Sequence, residues 1–183
     1  ERVMCAVKAL HYKPDLIARS MTTKESMQLA IFLENISNPF YGDIVRGFES
    51  SANLKGYSVM VCTSVQRYQE YMREAVSRRL DGIFMMMMPF QYDKEGLDML
   101  AGHGIRVVTS GFFNADLKRL SSIENDHITA MRELMMHLYE RGHREIAFIT
   151  GLSRNFLFDN RVTGYLKMVE ELGLSYGDDL LVD

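Results

Sequence analysis

Apolar residues along this chain alternate between short uninterrupted runs and stretches where they recur every three or four positions. The first clear run, Leu29-Ala30-Ile31-Phe32-Leu33, has no polar break, as expected of a strand buried on both faces. Ile44, Val45, Phe48 and Ala52 then share one face of a helix beginning near Phe40, and Gly56 stands where a helix would end. Tyr57 to Cys62 reads as a second strand, and Tyr68, Tyr71, Met72, Ala75, Val76 and Leu80 mark a second amphipathic helix. Asp81-Gly82 turns the chain into a third strand, Ile83 to Met87, followed by a helix from Lys94 to Gly102 and a strand from Ile105 to Thr109. An extended piece at Ser121 to Ile123 precedes a helix from His127 to Arg141, a strand from Glu145 to Thr150 and a helix from Arg161 to Leu172. Strict alternation of strand and helix predicts an α/β fold, a parallel sheet flanked by helices.

The first 25 residues follow another rule. Val3, Ala6, Val7 and Leu10 lie on one helical face, and the helix breaks at His11-Tyr12-Lys13-Pro14 because proline disfavours helix in the residue before it. Asp15 then stands as an N-cap before Leu16 to Met21, a helix too short to survive alone in water and so dependent on a partner. Thr22 to Ser26 is polar and reads as a linker. A short all-α segment over residues 1–25 is therefore expected ahead of an α/β body over residues 26–183.

Composition changes this picture little, but charge adds something. The 183 residues are 47% apolar, enough to bury a core, and carry a net charge of −3. Residues 1–25 hold five lysines and arginines against three acids, a net of +2, which leaves −5 on the body. That distribution fits a DNA-facing end on a solvated body, and it fits chance variation over so short a stretch equally well. Cys5 and Cys62 lack any metal or redox spacing, so two structural thiols in a reducing, cytoplasmic setting are expected. No apolar run reaches the roughly 18 residues needed to span a membrane. The sequence opens on Glu1 inside a helical pattern, so it reads as part of a longer chain.

Several segments in a fixed order carry a family resemblance. They are Tyr12 to Met21, the loop Asn35-Ile36-Ser37-Asn38-Pro39-Phe40-Tyr41, Gly47-Phe48-Glu49 with Gly56-Tyr57, and Asp81-Gly82-Ile83. Arg141 to Ile149 and Arg161 with Gly164-Tyr165 complete the set. Together they resemble the LacI/GalR family of transcriptional regulators over essentially the whole chain. The resemblance implies a homodimeric repressor with a helix-turn-helix headpiece, a hinge helix and a periplasmic-binding-protein-like effector domain of two subdomains. On this reading residues 1–25 are the end of the headpiece plus the hinge helix. Residues 26–123 form the N-subdomain, and 124–183 begin an incomplete C-subdomain.

The same resemblance assigns roles. In the hinge, Met21 is the apolar wedge inserted between base steps of operator DNA, Ala18 allows close approach to the groove, and Arg19 meets phosphate or a groove edge. A solvent-exposed tether is the competing reading of this segment. For a small-molecule effector, possibly a sugar or another ring compound, the expected contacts are Phe40, Tyr41, Met88, Phe112, Asn125 and Arg161. The aromatic rings would wall the cleft, and Arg161 would offer a guanidinium fork to effector oxygens. Core packing competes for Phe40, Tyr41 and Phe112, and a surface ion pair competes for Arg161. Departures from the family pattern at Gly111, Glu124-Asn125 and Thr129 weaken the case for a sugar. The helix over Tyr68 to Leu80 is expected to supply tyrosines and a methionine to a two-fold interface.

Other chemistries find little support. Consecutive strand residues point to opposite faces, so Met85 to Met88 cannot converge on one soft metal ion. His11, His103, His127, His137 and His143 show no ligand spacing, and no nucleophile–base pair or phosphate loop is visible. No enzyme activity, metal or cofactor is expected. The alternative function is an exported small-molecule binding protein serving a transporter, which would need an export signal and no hinge.

Overall fold

The computed structural model describes residues 2–11, 20, 22–23, 25–86, 93–110, 120–150, 160–175, 177 and 180–182. The chain divides into two compact units, Glu1–Ile123 and Glu124–Asp183.

The first unit opens with helix α1 (Arg2–Ala9), whose neighbourhood leaves Val3, Met4 and Leu10 largely exposed. Ser20, Thr22 and Thr23 have helical backbone. The unit is built on five parallel strands in the order β2-β1-β3-β4-β5. These are β1 (Gln28–Phe32), β2 (Ser58–Cys62), β3 (Gly82–Met86), β4 (Arg106–Ser110) and β5 (Ser121–Ile123). Helices α2 (Pro39–Leu54), α3 (Tyr68–Ser77) and α4 (Lys94–Gly102) make the crossovers, with a single 3-10 turn at Val65–Arg67.

Strand alternation distributes the core between two layers. Ala30, Phe32, Ile83 and Met85 point to the side covered by α3 and α4, where they meet Met72, Ala75, Leu80 and Leu100. Their sequence neighbours Ile31, Leu33 and Met86 point the other way, against Tyr41, Ile44, Val45 and Phe48 of α2. The central strands can therefore be apolar at every position, and Met85 and Met86 lie in different layers.

The apolar stripe of α3 packs against the sheet of its own unit. Phe32 makes ring contacts with Tyr68 at 6.2 Å and Tyr71 at 5.7 Å between centroids, and Met72 is fully buried. What α3 and the residues flanking it present to solvent is ionic, with Arg67 on Glu70 at 2.7 Å and Arg78 beside Glu74 at 3.8 Å.

The second unit pairs α5 (His127–Glu140) with α6 (Asn160–Glu171) beside two short parallel strands, β6 (Phe148–Ile149) and β7 (Leu181–Val182). Its core gathers Met131, Met135, Tyr165, Met168, Val169 and Leu181. β6 is shorter than the strand expected over Glu145 to Thr150. Its ladder partner β7 has two residues, and Ile146 instead gives its carbonyl to the Tyr165 hydroxyl at 2.7 Å.

Candidate functional site

In an open parallel sheet, ligands bind beyond the carboxyl ends of the strands. Beyond β1 the chain forms two turns closed by asparagine side chains. Asn35 Oδ1 accepts from the Ser37 N–H at 2.8 Å, and Asn38 Oδ1 caps α2 by accepting from the Phe40 N–H at 3.0 Å. Pro39 suits the first turn of that helix, where no backbone N–H is required.

These turns place Phe40 and Tyr41 side by side, with ring centroids 5.4 Å apart and planes at 67°. Their surroundings differ. Tyr41 is buried in the layer between α2 and the sheet, whereas Phe40 is 55% exposed. Burial, and secondarily the Glu34 carboxylate, raise the Tyr41 hydroxyl above its ordinary pKa, so it remains protonated at neutral pH. Tyr41 packs in the core, and Phe40 is the ring left exposed.

Beyond β2 and β3, the carboxyl side holds a polar cluster that sequence spacing does not reveal. Asp93 caps α4 through the Gly96 N–H at 3.0 Å and also accepts a short hydrogen bond from Gln69 Nε2. Burial, then the charge of Asp93, push the Tyr68 hydroxyl up to about 12. Gln69 and Asp93 are 24 residues apart, so only the crossover through β3 brings them together. An acidic residue just before a helix is a visible cap signal, but its second partner is not.

Asn125 and Arg161 lie in the second unit. Asn125 is exposed and offers its carbonyl to the His127 N–H at 2.9 Å, just before Asp126 caps α5. Arg161 is half-buried at the second position of α6. The two helices pack directly, with Gly164 of α6 against Ile128 and Met131 of α5 and an ion pair from Arg132 to Glu171 at 2.9 Å. Asn125 lies just before α5 and Arg161 in the first turn of α6. Phe40 and Tyr41 belong to the first unit. Ala18, Arg19, Met21, Met88 and Phe112 lie outside the described residues.

Residues 26–182 match the model of periplasmic binding proteins and sugar binding domains of the LacI family. This chain belongs to the LacI family. Over 99% of its length it is 30% identical to the HTH-type transcriptional regulator RegA of Clostridium saccharobutylicum. Over 98% it is 28% identical to the HTH-type transcriptional repressor PurR of Yersinia enterocolitica. The LacI-family chain spans 55% and 53% of these relatives, about half of each. Among solved structures it resembles a putative ribose operon repressor from Burkholderia thailandensis, with a TM-score of 0.73 at 20% identity, covering 85% of this chain and 60% of that one. It also resembles the regulator CelR in complex with cellobiose, with a TM-score of 0.70 at 23% identity over 98% of this chain and 54% of that one. At such identities these structures establish the fold, a periplasmic-binding-protein-like parallel sheet flanked by helices. No helix among the described residues is long and apolar enough to cross a membrane.

Proposed function

We propose that this chain is the sensing part of a cytoplasmic, homodimeric transcriptional repressor whose grip on operator DNA is set by a small molecule bound by its effector domain. The observation that carries this reading is the extent of the similarity. HTH-type regulators align with 98–99% of the chain, so the match takes in the N-terminal segment ahead of the binding domain. A binding protein exported for transport would have no use for a hinge there.

On this reading residues 1–25 comprise the last headpiece helix and the hinge. Met21 wedges the minor groove, supported by Ala18 and Arg19, and the largely exposed apolar residues of α1 await the rest of the headpiece. The candidate effector contacts fall in both units, Phe40 in the first and Asn125 and Arg161 in the second. Phe40 stacks on a ring-shaped effector, with Met88 and Phe112 near it, while Asn125 and Arg161 bind its polar edge. Solved relatives carry sucrose and cellobiose, which makes a saccharide the first class to try here. The chemistry is binding and release, and it requires no cofactor and no catalytic group.

Deleting the gene that carries this chain tests the regulatory reading. Transcripts of a small set of genes should rise, with solute uptake altered only as a consequence. Loss of uptake with an unchanged transcript profile would instead indicate an exported binding protein. The site is tested separately by calorimetry with a panel of mono- and disaccharides and nucleobases. Phe40→Ala should weaken the ligand found by at least tenfold without lowering the melting temperature, because its ring is more than half exposed.

A further inference from the structure

The chain passes from the N-terminal segment into the sheet through two residues, Ser26 and Met27, and both are held by one carboxylate. Asp81 Oδ1 accepts from the Ser26 N–H at 2.9 Å and from the Ser26 hydroxyl at 3.1 Å, while Oδ2 accepts from the Met27 N–H at 3.0 Å. Met27 has φ +55°, a left-handed conformation that a residue with a side chain adopts at a cost. Successive N–H groups next to such a residue converge into a concavity suited to an anion, and here the anion is built into the chain. Further bonds close the junction. The Met27 carbonyl accepts from the Ser58 N–H at 3.0 Å, and the Asp81 N–H donates to the Gln28 carbonyl at 3.0 Å.

Asp81 is also the residue immediately before β3. That strand lies between β1 and β4 and is buried along almost its whole length. Gly82 next to it lies so close to its neighbours that an added Cβ would sit 3.2 Å from the Arg106 carbonyl oxygen. Five residues and roughly 16 Å of rigid strand separate this junction from the carboxyl edge of the sheet, where ligands bind.

We infer that Asp81 is a positioning residue, a latch that fixes the direction in which the N-terminal segment leaves the sheet and ties that segment to β3. Calling the segment the DNA side rests on the proposed function; the latch itself does not. A shift of β3 at its ligand end moves the carboxylate that holds the linker, and loss of the carboxylate frees the linker while the sheet stays intact. Two of the three bonds go to backbone N–H groups, so side-chain changes at Ser26 or Met27 cannot remove them.

Amide hydrogen exchange on the free chain, without DNA or effector, tests this. In Asp81→Ala the Ser26 and Met27 amides should exchange at least tenfold faster, while Ala30 to Phe32 keep their protection. Asp81→Asn retains one carbonyl oxygen and should restore part of the protection. Ser26→Ala, which loses the hydroxyl's bonds to Asp81 and to the Gln28 N–H but leaves the turn before β3 untouched, should fall between wild type and Asp81→Ala. Unchanged exchange at Ser26 and Met27 in both Asp81 variants would overturn the inference. So would core amides that speed up in step with them, which would make Asp81 an ordinary structural residue. Either failure leaves the repressor reading standing, and failure of the transcript experiment leaves the latch untouched.

Discussion

Replacing Gly164 with alanine adds one methyl group where α5 and α6 come closest. The new Cβ would lie 2.9 Å from Met131 Cβ, 3.3 Å from its Cγ and 3.4 Å from Ile128 Cα. A Cβ and a Cα cannot rotate out of the way, so the helices must part by several tenths of an ångström. Overpacking of this kind costs about 1–3 kcal/mol. Alanine returns about 0.5–1 kcal/mol because glycine loses more backbone freedom on entering a helix. The balance is a net loss of about 1 kcal/mol, or about 2–4 °C in melting temperature for a chain of this size. Gly47 provides the matched control, since it lies inside α2, is exposed, and has nothing within 4 Å of the added Cβ. Gly47→Ala should therefore stabilise by about 0.5–1 kcal/mol. Scanning calorimetry of the two variants beside the parent, with each unit's transition followed separately, reads both signs. If Gly164→Ala raises the melting temperature as Gly47→Ala does, the close α5–α6 approach is wrong.

Other outcomes follow from single contacts. Tyr165→Phe removes the hydroxyl that a fully buried side chain donates to the carbonyl of half-buried Ile146 at 2.7 Å, and should cost about 1 kcal/mol in urea denaturation. The Cys62 thiol, pushed up to about 11 mainly by burial, should resist iodoacetamide at pH 8 while exposed Cys5 is alkylated; mass spectrometry of the native chain should show one adduct and of the unfolded chain two. Asp126 is held below its ordinary 3.8, first by the Thr129 N–H and then by the Thr129 hydroxyl. A depressed folded pKa stabilises above the unfolded value and loses that effect as pH falls through the folded one, so the contribution should be present at neutral pH and fade below about pH 4. Asp126→Asn should flatten that part of the stability–pH curve, and a carboxyl resonance titrating at or above 3.8 would contradict the assignment.

Local periodicity was sufficient to reveal the order of helices and strands from β1 to α6, but not the two-residue β7. The unbroken apolar run at Leu29 to Leu33 and the stripe at Ile44, Val45, Phe48 and Ala52 are consequences of backbone geometry, with repeats of two and 3.6 that need no knowledge of distant residues. The placing of Phe40 and Tyr41 at a helix start was legible for the same reason. Which of the two rings stays open was not legible. A sequence shows that a face is apolar, but what covers it depends on the layer packed against it, and α2 covers Tyr41 while leaving Phe40 exposed. What the stripe of α3 packs against was not legible on the same ground, because an apolar face meant for Phe32 looks the same as one meant for a second subunit. Contacts across the sheet were beyond reach altogether. Asp81 meets Ser26 across 55 positions, and Gln69 meets Asp93 across 24. Such pairs come together only when parallel crossovers bring strand ends into register, and that register is a property of the assembled sheet.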